Sequence, residues 1–179
     1  MRHTIIALVQ DHPGVLNRVV SLFRRRGYNI ESLAVGASET PGVSRMTIAV
    51  DVRDVDQVVK QFSRLIEVLT VKNVTNDRTV VRETALVKVT VPADQRADLS
   101  ALAERSGARV IDACDATVLL EITAGPDDVS AFVARARECG RVELSRSGRI
   151  AMVLGATTLA ATPTPYFWQA DGACDHAAA

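Results

Sequence analysis

Hydrophobic positions along this chain switch repeatedly between a period of two and a period of three to four. His3 to Gln10 is a largely apolar run rich in Ile, Leu and Val, which predicts a buried strand. The spacing then changes. Val15, Leu16, Val19, Val20, Leu22 and Phe23 recur at three and four residues, while Asn17, Arg18, Ser21, Arg24 and Arg25 fill the opposite side. That pattern predicts an amphipathic helix. Pro13 suits its start and Gly27 its end. Tyr28 to Ala37 reads as a second strand, and Glu39-Thr40-Pro41-Gly42 as a turn. Met46, Ile48, Val50 and Val52 alternate with Thr47, Ala49 and Asp51, as in a half-buried strand hairpinned to the one before. A second helix is expected with Val55, Val58, Val59, Phe62, Leu65 and Ile66 on one face, followed by a strand from Val68 to Val74.

The order β-α-β-β-α-β is the ferredoxin-like unit, and it then recurs. Ala85 to Val91 reads as a strand. Leu99, Leu102 and Ala103 mark a helix that stops near Gly107. Arg109 to Ala113 and Thr117 to Thr123 are two more strands. Gly125-Pro126-Asp127-Asp128 opens a helix whose acidic first turn suits its positive end, with Val129, Phe132, Val133 and Ala136 facing inward. Arg141 to Ser145 completes the set. The expected fold class is α+β, with two tandem ferredoxin-like (βαββαβ) domains over residues 1–76 and 84–155 and a polar linker over 77–83. Residues 156–179 are rich in Ala, Thr and Pro and are expected to form a low-complexity, disordered tail, with Tyr166-Phe167-Trp168 as its one apolar cluster.

Composition narrows the function. The chain has 179 residues, and 21 basic side chains balance 21 acidic ones. A nucleic-acid binder working by phosphate neutralisation is therefore not expected. The one basic run, Arg24-Arg25-Arg26, complements a helix dipole at its C-terminal end. Cys114, Cys139 and Cys174 are far apart and form no CxxC pair, so neither a zinc site nor a disulfide framework is expected, and a reducing cytoplasm fits. There is no secretory h-region and no apolar run near the ~20 residues that span a bilayer.

A search for catalytic patterns comes back nearly empty. The histidines are His3, His12 and His176, and no Walker A, GxGxxG, HExxH or GxSxG string occurs. Asp54-Asp56 and Asp127-Asp128 read as helix starts, and Cys114 and Cys139 as small core fillers. No catalytic residue and no metal site is expected in this chain.

The stretch Asp11-His12-Pro13-Gly14-Val15-Leu16 carries more information. It lies between a strand and a helix, so it leaves backbone amides free at a helix N-terminus, where a small carboxylate can bind. Gly14 has no Cβ to block close approach. Asn29 supplies an amide side chain at the start of the next strand, and Ile30 an apolar wall. In a ferredoxin-like unit that second strand lies at a sheet edge, which invites pairing with a copy of itself. Two such units would bring the Gly14 loop of one chain near the Asn29 strand of the other. The effector-binding residues expected are Asp11, Gly14, Val15, Leu16, Asn29 and Ile30.

The Asp-x-Pro-Gly-x-Leu loop resembles the ligand loop of ACT domains. More narrowly, the chain resembles the small regulatory subunits of acetolactate synthase. The resemblance rests on Arg26-Gly27-Tyr28-Asn29-Ile30-Glu31-Ser32-Leu33, on Ser44-Arg45-Met46-Thr47-Ile48, on Arg82-Glu83 leading into Leu86-Val87-Lys88-Val89, and on Ser145-Arg146-Ser147-Gly148-Arg149-Ile150. It implies an ACT-type first domain and a separate catalytic subunit that uses thiamine diphosphate, magnesium and FAD. It implies activation of that subunit, feedback inhibition by valine or another branched-chain amino acid, and a homodimer through the N-terminal domains. Many members carry Asn where this chain has Asp11; a carboxylate there attracts an effector's ammonium and repels its carboxylate. The family usually ends soon after the Arg-x-Gly segment, whereas this chain continues to Ala179. A free-standing tandem ACT sensor acting on another enzyme or on transcription is the alternative, and it need not carry these four strings.

Overall fold

The computed structural model describes residues 1–156 together with Thr158 and Leu159; the rest of the expected tail, including Tyr166-Phe167-Trp168, lies outside the described residues. The first unit runs β1 (Arg2–Gln10), α1 (Val15–Arg25), β2 (Asn29–Ala37), β3 (Val43–Asp51), α2 (Val55–Phe62) and β4 (Val68–Asn73). The second runs β5 (Thr79–Thr90), α3 (Arg96–Ser106), β6 (Arg109–Cys114), β7 (Thr117–Ala124), α4 (Pro126–Cys139) and β8 (Arg141–Val153). Each forms a four-stranded antiparallel sheet, ordered β2-β3-β1-β4 and β6-β7-β5-β8. The two orders are the same topology repeated, so the first strand of each unit is internal and the second lies at an edge. No helix among the described residues is long and apolar enough to cross a membrane.

The helices form where the spacing predicts and bury most of the positions it names, although Leu16 and Val20 of α1 are exposed. α1 turns Val15, Val19, Leu22 and Phe23 inward, and α2 turns Val58 and Phe62. Phe23 meets Phe62 edge to face, with ring centroids 5.8 Å apart. Beneath them lie Ile5, Ala7 and Val9 of β1 and Met46, Ile48 and Val50 of β3. The second core repeats the arrangement with Val87 and Val89, Leu120 and Ile122, Leu102, Phe132 and Val133. Asp54 caps α2 by accepting from the Gln57 amide at 3.0 Å, and Gly107 ends α3 in the left-handed conformation. Asp56 lies in the first turn of α2, and Asp127 and Asp128 in that of α4, so both acidic pairs noted in the sequence are helix starts.

Four expected boundaries move. α2 stops at Phe62 and a turn follows, in which the Leu65 amide donates to Phe62 O; Leu65 still packs on the core but Ile66 is 65% exposed. The third strand begins at Val43, directly after the turn, rather than at Met46. The polar stretch 77–83 is a connection only as far as Arg78, because Thr79 to Glu83 already belong to β5. β8 runs on to Val153, well past Ser145. The last two differences share a cause. Thr79–Glu83 pairs with Arg149–Val153, making a two-stranded arm beyond the rest of the second sheet. The arm lies on the open face of the first sheet. Ile6, on that face, is buried with Val74 and Ala151, and Arg45 donates to Ala151 O at 3.1 Å. Both faces of β1 are thus covered, one by α1 and α2 and the other largely by the arm, which is why its sequence is apolar almost throughout.

Candidate functional site

The loop after β1 is held from three sides. The Asp11 amide donates to Gly42 O at 2.8 Å, and the Gln10 amide to Glu67 O at 2.9 Å. His12 bridges the loop itself, with Nε2 3.1 Å from Gln10 Oε1 and Nδ1 3.1 Å from Pro13 O. Gly14 then takes φ +93 and serves as the N-cap of α1 without any side-chain cap. A Cβ at Gly14 would meet nothing within 4 Å, so the glycine answers to backbone conformation and open access, not to packing. The Val15 amide reaches only His12 O at 3.4 Å, and among the described residues nothing accepts from the Gly14, Leu16 or Asn17 amides. A helix N-terminus with several unused donors and no acidic side chain in its first turn is electrostatically open to an anion.

Arg18 and Glu67 set the helix against the sheet. The Arg18 amide closes the first turn on Gly14 O at 3.0 Å, and its guanidinium meets Glu67 Oε1 at 2.7 Å. Glu67 is buried beside β4, and its second oxygen has no partner among the described residues. Neither residue stood out from the sequence. The visible signal was one acid inside the apolar run Leu65-Ile66-Glu67-Val68-Leu69.

The six expected residues divide by location. Asp11, Gly14 and Leu16 are exposed at the loop, with Leu16 at 43%. Val15 is 3% exposed and its side chain belongs to the first core, so it orients the helix rather than facing solvent. Asn29 is exposed at the start of β2, and Ile30 is half-buried against the same core. Asn29 pairs in register with Asp51, which in turn lies opposite Arg2, at the beginning of β1. The Gly14 loop follows Gln10, at the other end of β1. Eight residue steps separate the two levels, a distance of ~26 Å at ~3.3 Å per residue. The loop and the asparagine of one chain therefore cannot touch the same amino acid. β2 carries no ladder on its outer side among the described residues. Antiparallel pairing of β2 with β2 of a second copy would bring that copy's Asn29 level with the end of β2 near Ala37, which is the Gly14 end.

Among the described residues no group of three or more His, Cys, Asp or Glu is placed to hold a metal ion.

Comparison with known proteins covers nearly the whole described chain. Residues 5–70 match the family model "AHAS small subunit-like ACT domain", and residues 82–155 match "Small subunit of acetolactate synthase". A probable acetolactate synthase small subunit of Archaeoglobus fulgidus is 45% identical over 157 residues, covering 87% of this chain and 98% of the relative. The acetolactate synthase small subunit of Mycolicibacterium smegmatis is 40% identical, covering 86% and 91%. Among solved structures, the acetolactate synthase small subunit from Thermotoga maritima superposes with a TM-score of 0.79 at 35% identity, covering 88% of this chain and 99% of that one.

Proposed function

This chain belongs to the acetolactate synthase small-subunit family, and on that footing we propose that it activates a thiamine-dependent catalytic subunit and makes it sensitive to a branched-chain amino acid, valine first. Two copies pair through the outer edges of β2. Each effector then lies between the Gly14 loop of one copy and the Asn29 strand of the other. Its carboxylate takes the unused amides at the start of α1, and its ammonium is drawn to Asp11. Its aliphatic side chain meets Leu16 and Ile30. Thiamine diphosphate, magnesium and FAD belong to the catalytic subunit; this chain supplies binding and leverage and performs no bond chemistry.

The observation that carries this reading is the open helix start behind Gly14: three backbone N–H groups without partners among the described residues, no side-chain cap and no first-turn acid. Gly14 brings no side chain to satisfy these donors, and its open surroundings leave them within reach of a ligand carboxylate. The test is reconstitution. Catalytic-subunit activity is measured with and without this chain across a titration of valine, leucine and isoleucine. Stimulation by the chain and inhibition by at least one of the three is expected. A catalytic subunit indifferent to the chain would refute the assignment.

A further inference from the structure

Two strand irregularities meet where the domains touch. In β2 the register with β3 shifts between Ile30 and Ser32, so Glu31 is bulged. In β8 the register with β5 shifts between Glu83 and Ala85, and Gly148 there takes φ +78. The left-handed glycine and the extra residue on one strand are the marks of a glycine-type bulge, a device that re-aims neighbouring groups. The two bulges are joined directly: the Arg149 amide donates to Ser32 Oγ at 2.8 Å. A Cβ on Gly148 would lie 3.1 Å from both Leu33 O and Ser32 Oγ, so a side chain there would be strained in its backbone and would press β2 back by a few tenths of an ångström.

The contact stands between two other fixed points. On the β2 side, Asn29 and Ile30 precede Ser32 by three and two positions, and bulged Glu31 is held by Arg2 at 2.6 Å. On the β8 side, the Thr84 amide donates to Ser147 Oγ at 3.1 Å, filling the gap that the bulge opens in the ladder. Next to it Arg146 grips Glu83 with two bonds of 2.6 and 2.7 Å and reaches Ser130 of α4 at 3.3 Å. Glu83 is 5% exposed.

We propose that the Ser32–Gly148–Arg149 contact is the joint through which occupancy of the effector site reaches the second domain, making Ser32 a positioning residue for regulation and not for binding. The inference rests on the effector reading above. Binding at Asn29 and Ile30 fixes the start of β2. The Ser32 hydroxyl carries that position to the β8 bulge, and the Arg146–Glu83 pair carries it on to β5 and α4. Contiguity alone does not establish coupling, so the test must separate binding from transmission.

The experiment uses the full chain and its catalytic subunit, with Ser32→Ala and Ser32→Thr. Valine binding to the regulatory chain alone is measured by calorimetry, and valine inhibition is measured in the reconstituted enzyme. For Ser32→Ala we expect a valine Kd within about threefold of wild type and unchanged stimulation without valine, while maximal inhibition falls by about half or more. Ser32→Thr keeps the hydroxyl and restores inhibition. A Ser32→Ala inhibition curve superimposable on wild type would overturn the joint while leaving the effector reading intact. Loss of valine binding in Ser32→Ala would also overturn it, by placing Ser32 in the site. Wild-type chain that binds none of the branched-chain amino acids would bring down both.

Discussion

If each effector sits between the Gly14 loop of one copy and the Asn29 strand of the other, two defective variants should repair each other. Gly14→Asp ruins the loop. Its carboxylate would stand ~4 Å from that of the ligand, a repulsion of about 1 kcal/mol in water and about 4 kcal/mol at a surface-effective dielectric. That weakens binding between about fivefold and about a thousandfold. The fold should survive, because a Cβ at Gly14 meets nothing within 4 Å. The left-handed backbone alone costs about 1–2 kcal/mol. Asn29→Ala ruins the strand by removing hydrogen bonds to a charged ligand, each worth about 1.5–3 kcal/mol. Asn29 is exposed, so truncation leaves no cavity.

Each variant alone has no intact site. In a mixed dimer, one site combines both lesions and the other combines an intact Gly14 loop with an intact Asn29. Random exchange makes about half of the dimers mixed, so about one quarter of the sites recover. The assay is calorimetry on an equimolar mixture after subunit exchange, read as the fraction of high-affinity sites. Recovery near that level supports a shared site. No recovery, despite demonstrated exchange, would place both residues in one chain's own pocket, against the ~26 Å that eight strand residues impose.

Two further outcomes follow from the second domain. Arg146→Met strands the buried Glu83 carboxylate, whose partners are the two short bonds to that guanidinium; breaking a buried pair costs about 3–5 kcal/mol, and because Arg146 is 31% exposed the lower end applies. Calorimetric unfolding should show the transition of the second domain lowered by about 10 °C or more, and a shift of only a degree or two would mean that solvent compensates Glu83. Burial, with Asp98 and Glu138 adding to it, raises the thiol of Cys139 above its ordinary range. A group raised on folding favours the folded state below its unfolded value and loses that advantage as pH climbs through the folded one, so Cys139 should stay protonated and resist alkylation to higher pH than a free thiol, whereas Cys114 is exposed. Peptide mapping after iodoacetamide treatment across a pH series checks this, and equal rates at the two cysteines would contradict it.

Most of the architecture was legible because periodicity reports which faces are buried. α4 buries the four residues its spacing names, and α1 buries all of its six but Leu16 and Val20. The Gly14 loop was legible for a different reason: a proline and a glycine between an apolar strand and an amphipathic helix leave few conformations open. What stayed hidden lies where alternation breaks. Beyond Ser145 the bulge at Ser147–Gly148 disrupts the period of two, so β8 reads as ending there although it continues to Val153. The covering arm was hidden too, since Thr79 to Glu83 is polar enough to pass for a linker until its partner strand is known. Glu67 and Arg18 stand 49 positions apart, and no local pattern links them. The separation of the Gly14 loop from Asn29 required the register itself.

The bulge at Glu31 explains how one short strand can serve two neighbours. Strict alternation would place Ile30 and Leu33 on opposite faces of the sheet. With Glu31 bulged, both pack against the helix-side core. Ser32 is thereby turned to the face that the second domain covers, where it meets Arg149. The proposed effector contact and the proposed joint thus lie within three residues of each other, on a strand whose outer edge is open to a second copy. The energies are also commensurate. Regulation of this kind needs a coupling free energy of about 1–3 kcal/mol, and a single hydrogen bond is worth about 0.5–1.5 kcal/mol net. One contact such as Ser32 to Arg149 can therefore carry a large share of the coupling.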